Sequence, residues 1–148
     1  MANTIASLAD ETKGYPTTVE VPLTAAQING MYATPVLVVP AVSNKAIVVD
    51  SVEFIITRTA TAFAGGGVVS VQYNSTANGG GTSVQGSTIA AAVVTGAAGT
   101  TYSTRPPATL SDVATASIKG IGLYISNATA AFTTGTGTAV VRVTYRTV

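Results

Sequence analysis

From residue 17 onward apolar and polar side chains alternate with a period of two, the pattern of strands half-buried against a core. Val19, Val21 and Leu23 fall on one face, with Thr18, Glu20 and Pro22 on the other. Pro22 has no amide to donate, which predicts an edge position for this first strand. Thr24 then stands where a helix N-cap belongs, with Gln27 at the capping-box position and Gly30 as a stop, so one short helical turn follows. Val36, Leu37, Val38 and Val39 run without a polar break between Pro35 and Pro40, as expected of a strand covered on both faces. Residues 46–58 give the longest strand. Val48, Val52, Phe54 and Ile56 share one parity and Ile47, Val49 and Ile55 the other, which predicts a central strand buried in part on both faces.

Val69, Val71 and Tyr73 alternate with Ser70 and Gln72, predicting a strand with one wet face. The polar stretch 74–86, with Gly79, Gly80 and Gly81 at its centre, is long for an internal connection and predicts a functional or flexible loop. Ser87 or Thr88 can cap a short helix through Ile89, Ala92 and Val93 before Gly96. Residues 100–107 are extended by composition, and 110–117 give no firm assignment. A strand over 119–126 sets Ile121, Leu123 and Ile125 against Tyr124. The final strand, 138–147, turns Ala139, Val141, Val143 and Tyr145 inward and Arg142, Thr144 and Arg146 outward. About seven strands at short spacing with Gly-rich turns and little helix predict an all-β sandwich, with a jelly roll as the expected topology. One or two helical turns and an extended N-terminal arm complete it. Residues 1–16 form the arm, whose apolar members include Ile5 and Leu8 and which ends in Tyr15 and Pro16, and residues 17–148 form a single domain.

Composition narrows the chemistry. Charged residues make up 9% of the 148, where roughly 25% is usual, so the surface must be built from Thr, Ser, Gly and Ala. A net charge of +1 leaves little repulsion between copies and points to a protein that works assembled. The seven basic residues are scattered, which argues against a phosphate-backbone partner. The N-terminal residues lack the basic and apolar regions of a secretory signal, and the apolar runs are far shorter than a membrane span. The expectation is therefore a soluble protein without nucleic-acid or membrane partners.

With no His and no Cys, Ser-His and Cys-His nucleophiles and ordinary zinc sites are excluded. Asp50 and Glu53 are the nearest well-structured carboxylates, and three residues apart on a strand they are expected on opposite faces, unsuited to acid–base work across a sugar. No acidic loop suits calcium, and no Gly-rich stretch continues into a phosphate-binding Gly-Lys-Ser/Thr; the glycine triplets read as turns needing positive φ. Asn74-Ser-Thr76 and Asn127-Ala-Thr129 match the glycosylation pattern by chance in so Thr-rich a chain. No cofactor, metal or catalytic residue is expected.

Three segments resemble a known group. Lys45-Ala-Ile-Val-Val-Asp-Ser-Val52, the Gly65-Gly-Gly-Val-Val-Ser-Val-Gln-Tyr73 turn and strand, and the stretch from Asn127 to Tyr145 are similar to small virion structural proteins of tailed bacteriophages. The resemblance implies a β-sandwich or jelly roll that assembles on the particle, as a trimeric capsid decoration protein or a head-fibre or tail component. It also implies a homo-oligomer bound to the major capsid protein in a virion built in the host cytoplasm, with no catalytic residue. Expected assembly contacts are Ile5, Leu8, Tyr15 and Pro16 of the arm, Pro35, and the outward Arg142 and Arg146. A carbohydrate-binding or adhesion module using the 74–86 loop with Tyr73 and Tyr102 is the alternative.

Overall fold

The computed structural model describes residues 15–84, 86–105 and 115–148. Ile5, Leu8 and all but the last two residues of the expected arm lie outside them. Ten strands and three short helices follow in order: β1 (Thr17–Thr24), α1 (Ala25–Gly30), β2 (Val36–Val39), β3 (Ile47–Arg58), β4 (Ala64–Gly65), β5 (Val69–Tyr73), β6 (Thr82–Ser83), α2 (Ala91–Thr95), β7 (Gly99–Arg105), α3 (Thr115–Ile118), β8 (Leu123–Asn127), β9 (Phe132–Thr133) and β10 (Gly137–Thr147). Sheet A has the order β1-β10-β3-β7 and sheet B the order β2-β8-β5-β6, with β4-β9 a separate ribbon. All pairings in both four-stranded sheets are antiparallel. Apart from the hairpin of β5 and β6, the eight sandwich strands alternate between the sheets along the chain, and each sheet interleaves early with late strands. That connectivity is a jelly roll.

The core lies between the sheets. Leu23, Phe54, Ile56, Val141 and Val143 of sheet A meet Val69, Val71, Leu123 and Ile125 of sheet B, all at most 1% exposed. Each such side chain contributes about 1.5–3 kcal/mol by leaving water. Tyr73 crosses the sandwich and its hydroxyl donates to the Ile47 carbonyl of the opposite sheet at 2.8 Å. Burial pushes its pKa above that of an ordinary phenol.

Several expectations hold locally. β1 is an edge strand, as Pro22 requires, and β3 is central. Thr24 and Gln27 form a reciprocal capping box, the Gln27 amide donating to Thr24 Oγ1 at 3.3 Å and the Thr24 amide to Gln27 Oε1 at 2.9 Å.

Other expectations change. The two apolar parities of β3 are not two buried faces. Its register against β10 slips between Thr144 and Tyr145, where Thr144 faces Ser51 and Tyr145 faces Val49, so Asp50 is the extra residue of a β-bulge. Ile47 and Val49 before the bulge and Val52, Phe54 and Ile56 after it are all buried. β2 is an edge strand whose Leu37 is 44% exposed, rather than a strand covered on both sides. β8 begins at Leu123, later than expected, because Gly120 at φ +71° turns the chain just before it. The described residues form three short helices where one or two helical turns were expected. α2 starts at Ala91 with no side-chain cap. Ser87 is engaged elsewhere, donating to the Val84 carbonyl at 2.7 Å, and Ile89 bridges to Val69.

Candidate functional site

β10 places Arg142 and Arg146 on the outer face of sheet A, where register brings Glu20 of β1 and Glu53 of β3 to either side of Arg142. Arg142 Nε donates to Glu20 Oε1 at 2.5 Å and its Nη1 to Glu53 Oε2 at 2.6 Å. The Tyr102 hydroxyl of β7 hydrogen-bonds Glu53 as well, and this bond, with that of Arg142, holds the Glu53 carboxyl below the usual carboxylate range. The two carboxylates correspondingly raise the Arg142 pKa. A second pair lies farther along β10, with Arg146 Nη2 3.0 Å from Asp50 Oδ1. Thr18 and Thr144 share a hydroxyl hydrogen bond at 2.9 Å on the same face.

Asp50 and Glu53 therefore share a face, against the expectation that three-residue spacing separates them. The bulge at Asp50 adds one residue and turns an odd spacing into an even one. Each carboxylate is held by its own arginine. Arg142 and Arg146, expected as outward assembly contacts, lie on the outer face and take part in cross-strand ion pairs.

The remaining expected contacts are dispersed. Tyr15, 47% exposed, and Pro16 precede Thr17, which pairs with Tyr145, so they share the Arg146 end of sheet A. Pro35 lies elsewhere, with Ala26, Gln27, Gly30, Thr34 and Val36 around a hollow of about 470 Å³ beside α1. Because α1 continues directly from the Thr24 end of β1, this hollow lies at the opposite end of sheet A from Tyr15 and Arg146. A hollow of about 390 Å³ is lined by Asn44, Lys45, Ala46, Lys119 and Val148.

Sheet B has no wet outer face over β5. All five β5 residues are buried, Gln72 completely. The segment that follows turns back over it: Gln72 Nε2 donates to the Asn74 carbonyl at 3.2 Å and the Thr76 carbonyl at 2.7 Å, while its Oε1 accepts from the Gly81 amide at 3.3 Å. The Gly79 amide donates to Ser126 Oγ at 3.3 Å, and Ser126 Oγ to the Met31 carbonyl at 3.0 Å. A Cβ on Gly81 would stand 2.6 Å from Gln72 Nε2, so glycine is required there by close packing. Its triplet partner Gly79 is the one at positive φ, +67°. The described part of the 74–86 stretch is thus tied down. Tyr73, 7% exposed, offers no stacking surface, whereas Tyr102 is 55% exposed. Asn127 is fully buried, its Nδ2 donating to the Ala130 carbonyl at 2.5 Å.

Arg58 is the charged residue whose role sequence reasoning missed. It is 8% exposed at the inner end of β3 and donates to the carbonyls of Ala97 and Val93 at 2.6 and 2.5 Å and to Thr101 Oγ1 at 2.7 Å. These acceptors lie around and beyond the C-terminus of α2, where carbonyls are unsatisfied and a cation is favoured. Its even spacing from Phe54 and Ile56 was the available signal. Among the described residues no three potential metal-ligating side chains cluster, and no helix is long and apolar enough to cross a membrane.

Neither a protein-family model nor a curated protein sequence matches the chain. Among solved structures it aligns with a chain from a structure of infectious bursal disease virus Gx strain, at 14% identity and a TM-score of 0.22, over 90% of this chain and 34% of that one. This chain spans about a third of that chain's length, and so slight a likeness carries no inference about role.

Proposed function

We propose that this chain is a non-enzymatic structural protein of a virus particle, a capsid decoration or auxiliary protein that binds the head as a homo-oligomer and stabilises it through subunit contacts. The observation that carries this reading is the disposition of charge. Each carboxylate among the described residues is paired with an arginine on one face of sheet A, and Arg58 is turned inward. What remains outside is largely Thr, Ala and Ser with isolated apolar side chains such as Leu37 and Val68. Burying such a surface against another protein strips water from few ions, so many weak contacts can sum to useful interfacial energy.

The same disposition supports a role without catalysis. A carboxylate held below its usual range by an arginine and a tyrosine hydroxyl is not poised to exchange protons near neutral pH. The partner would be the major capsid protein or a neighbouring virion protein, met in the host cytoplasm during assembly. The trimer that the sequence resemblance implies is one form of such an oligomer.

Co-sedimentation with particles lacking the protein tests the reading. Saturable binding, with particles made more resistant to heat, is the expected result. Absence of binding, together with binding to a glycan array that is lost in Tyr102→Ala, would replace it with the adhesion reading.

A further inference from the structure

Among the described residues four strands form the open edges of the two sheets: β1 and β7 in sheet A, β2 and β6 in sheet B. An open edge presents unpaired amides and carbonyls, and proteins that must stay apart blunt it with proline, charge, bulges or short length. Three of the four edges carry such devices. β1 contains Pro22 and Glu20. β2 has four residues between Pro35 and Pro40, and its register slips between Leu37 and Val39. β6 has two residues.

β7 carries none of them. It is seven residues long, Gly-Thr-Thr-Tyr-Ser-Thr-Arg, with no proline and no charge before its last residue. It pairs with β3 in unbroken register from Gly99 to Arg105, and among the described residues no strand covers its other side. β-branched and aromatic residues dominate it, as strand pairing favours.

We propose that β7 is a self-association edge, on which a second copy of this chain adds its own β7 antiparallel across a two-fold axis at Tyr102. The order of residues selects the partner. Thr100-Thr101-Tyr102-Ser103-Thr104 reads almost identically in both directions. Centred on Tyr102, an antiparallel pair sets Thr101 opposite Ser103, Thr100 opposite Thr104 and Arg105 opposite Gly99. No two charged residues are placed opposite each other, and on both sides of the axis the opposed positions near it are Thr or Ser. Tyr102, 55% exposed, meets its own copy as a cross-strand aromatic pair. The interface is isologous and closes on itself, so it gives a dimer rather than a fibre. The seven paired residues would run about 23 Å and join two four-stranded sheets into one of eight. This contact deepens the assembly role proposed above by naming one self-association surface, and it rests on that role only for its biological use.

The chain has no cysteine, so single replacements report the pairing directly. Residues directly opposite in an antiparallel pair have Cα atoms about 4.5–5.5 Å apart, within disulfide reach. Under mild oxidation Y102C is expected to become a covalent dimer, while T100C and T104C alone stay single and an equimolar mixture of the two cross-links. Light scattering should give the mass of two chains for the unaltered protein and of one for Y102K, with unchanged circular dichroism. A single-chain or three-chain mass for the unaltered protein, or T100C cross-linking as readily as Y102C, would overturn the proposal. Co-sedimentation with particles is scored separately: binding by a protein that does not pair removes this edge and leaves the decoration role, and pairing without binding does the reverse.

Discussion

The outer faces of the two sheets start from similar alternation and end in opposite states. On sheet A, Arg142, Thr144 and Arg146 alternate with buried Val141 and Val143, and the polar set stays at the surface in ion pairs and hydroxyl contacts. On sheet B, Ser70 and Gln72 alternate with Val69, Val71 and Tyr73 in the same way, yet they are buried under a returning segment. The difference lies in what each polar side chain can satisfy. A glutamine has an acceptor and two donors, which here match one amide and two carbonyls of a turn and let that turn dispense with water. An arginine brings charge and is matched most cheaply by carboxylates that stay partly hydrated. Alternation reports which side chains leave the core; it does not report whether another piece of chain comes to cover them.

The largest effect should come from the covered face. Gln72→Ala orphans the Gly81 amide and two carbonyls and opens a cavity, an expected loss of about 3 kcal/mol measured by urea unfolding. Hydrogen exchange at Gly79 and Gly81 should rise with it. Ser126→Ala breaks the link to the Gly79 amide and the Met31 carbonyl, and about 1–2 kcal/mol should be lost. Arg142→Ala on the open face should shift the midpoint far less, and the shift should shrink further near 1 M salt, where the Debye length falls to about 3 Å.

The smallest effect concerns pH. Because the folded Glu53 carboxyl lies below its unfolded value, its contribution is present above the ordinary glutamate pKa, about 4.3. It is lost as pH falls through the lower folded value. Glu53→Gln should flatten that acid limb by lowering stability at neutral pH, while leaving stability below the folded value nearly unchanged. An acid limb as steep in the variant as in the parent would show that Glu53 is not the group responsible.

Legibility in the sequence followed from how local each cause was. The edge position of β1 was readable in Pro22, the helix in Thr24 and Gln27, and the inward set of β10 in Ala139, Val141 and Val143, because single residues or strict periods decide them. The covering of Gln72 was not readable, since its partners at Thr76 and Gly81 show up only as a polar, glycine-rich stretch. The ladder of Glu20, Arg142 and Glu53 was half visible. Arg142 was expected outward, but its partners lie 122 and 89 residues away and depend on register between three strands. Arg58 was obscured because a cation at an inward position runs against the pattern, and its acceptors, the Val93 and Ala97 carbonyls and the Thr101 hydroxyl, lie 35 to 43 residues away.

The bulge at Asp50 makes β3 two strands spliced end to end, each with its own sense of which side is in. Deleting Asp50 alone would restore simple pairing with β10 and set Ile47, Val49, Val52, Phe54 and Ile56 on one parity, so β3 could lose that residue and keep its inward set, giving up only the partner of Arg146. Length variation within β3 should therefore be confined to Asp50 and otherwise collect in the connections beyond its ends, because one residue more or fewer anywhere else in the strand reverses the side chains on one side of the change.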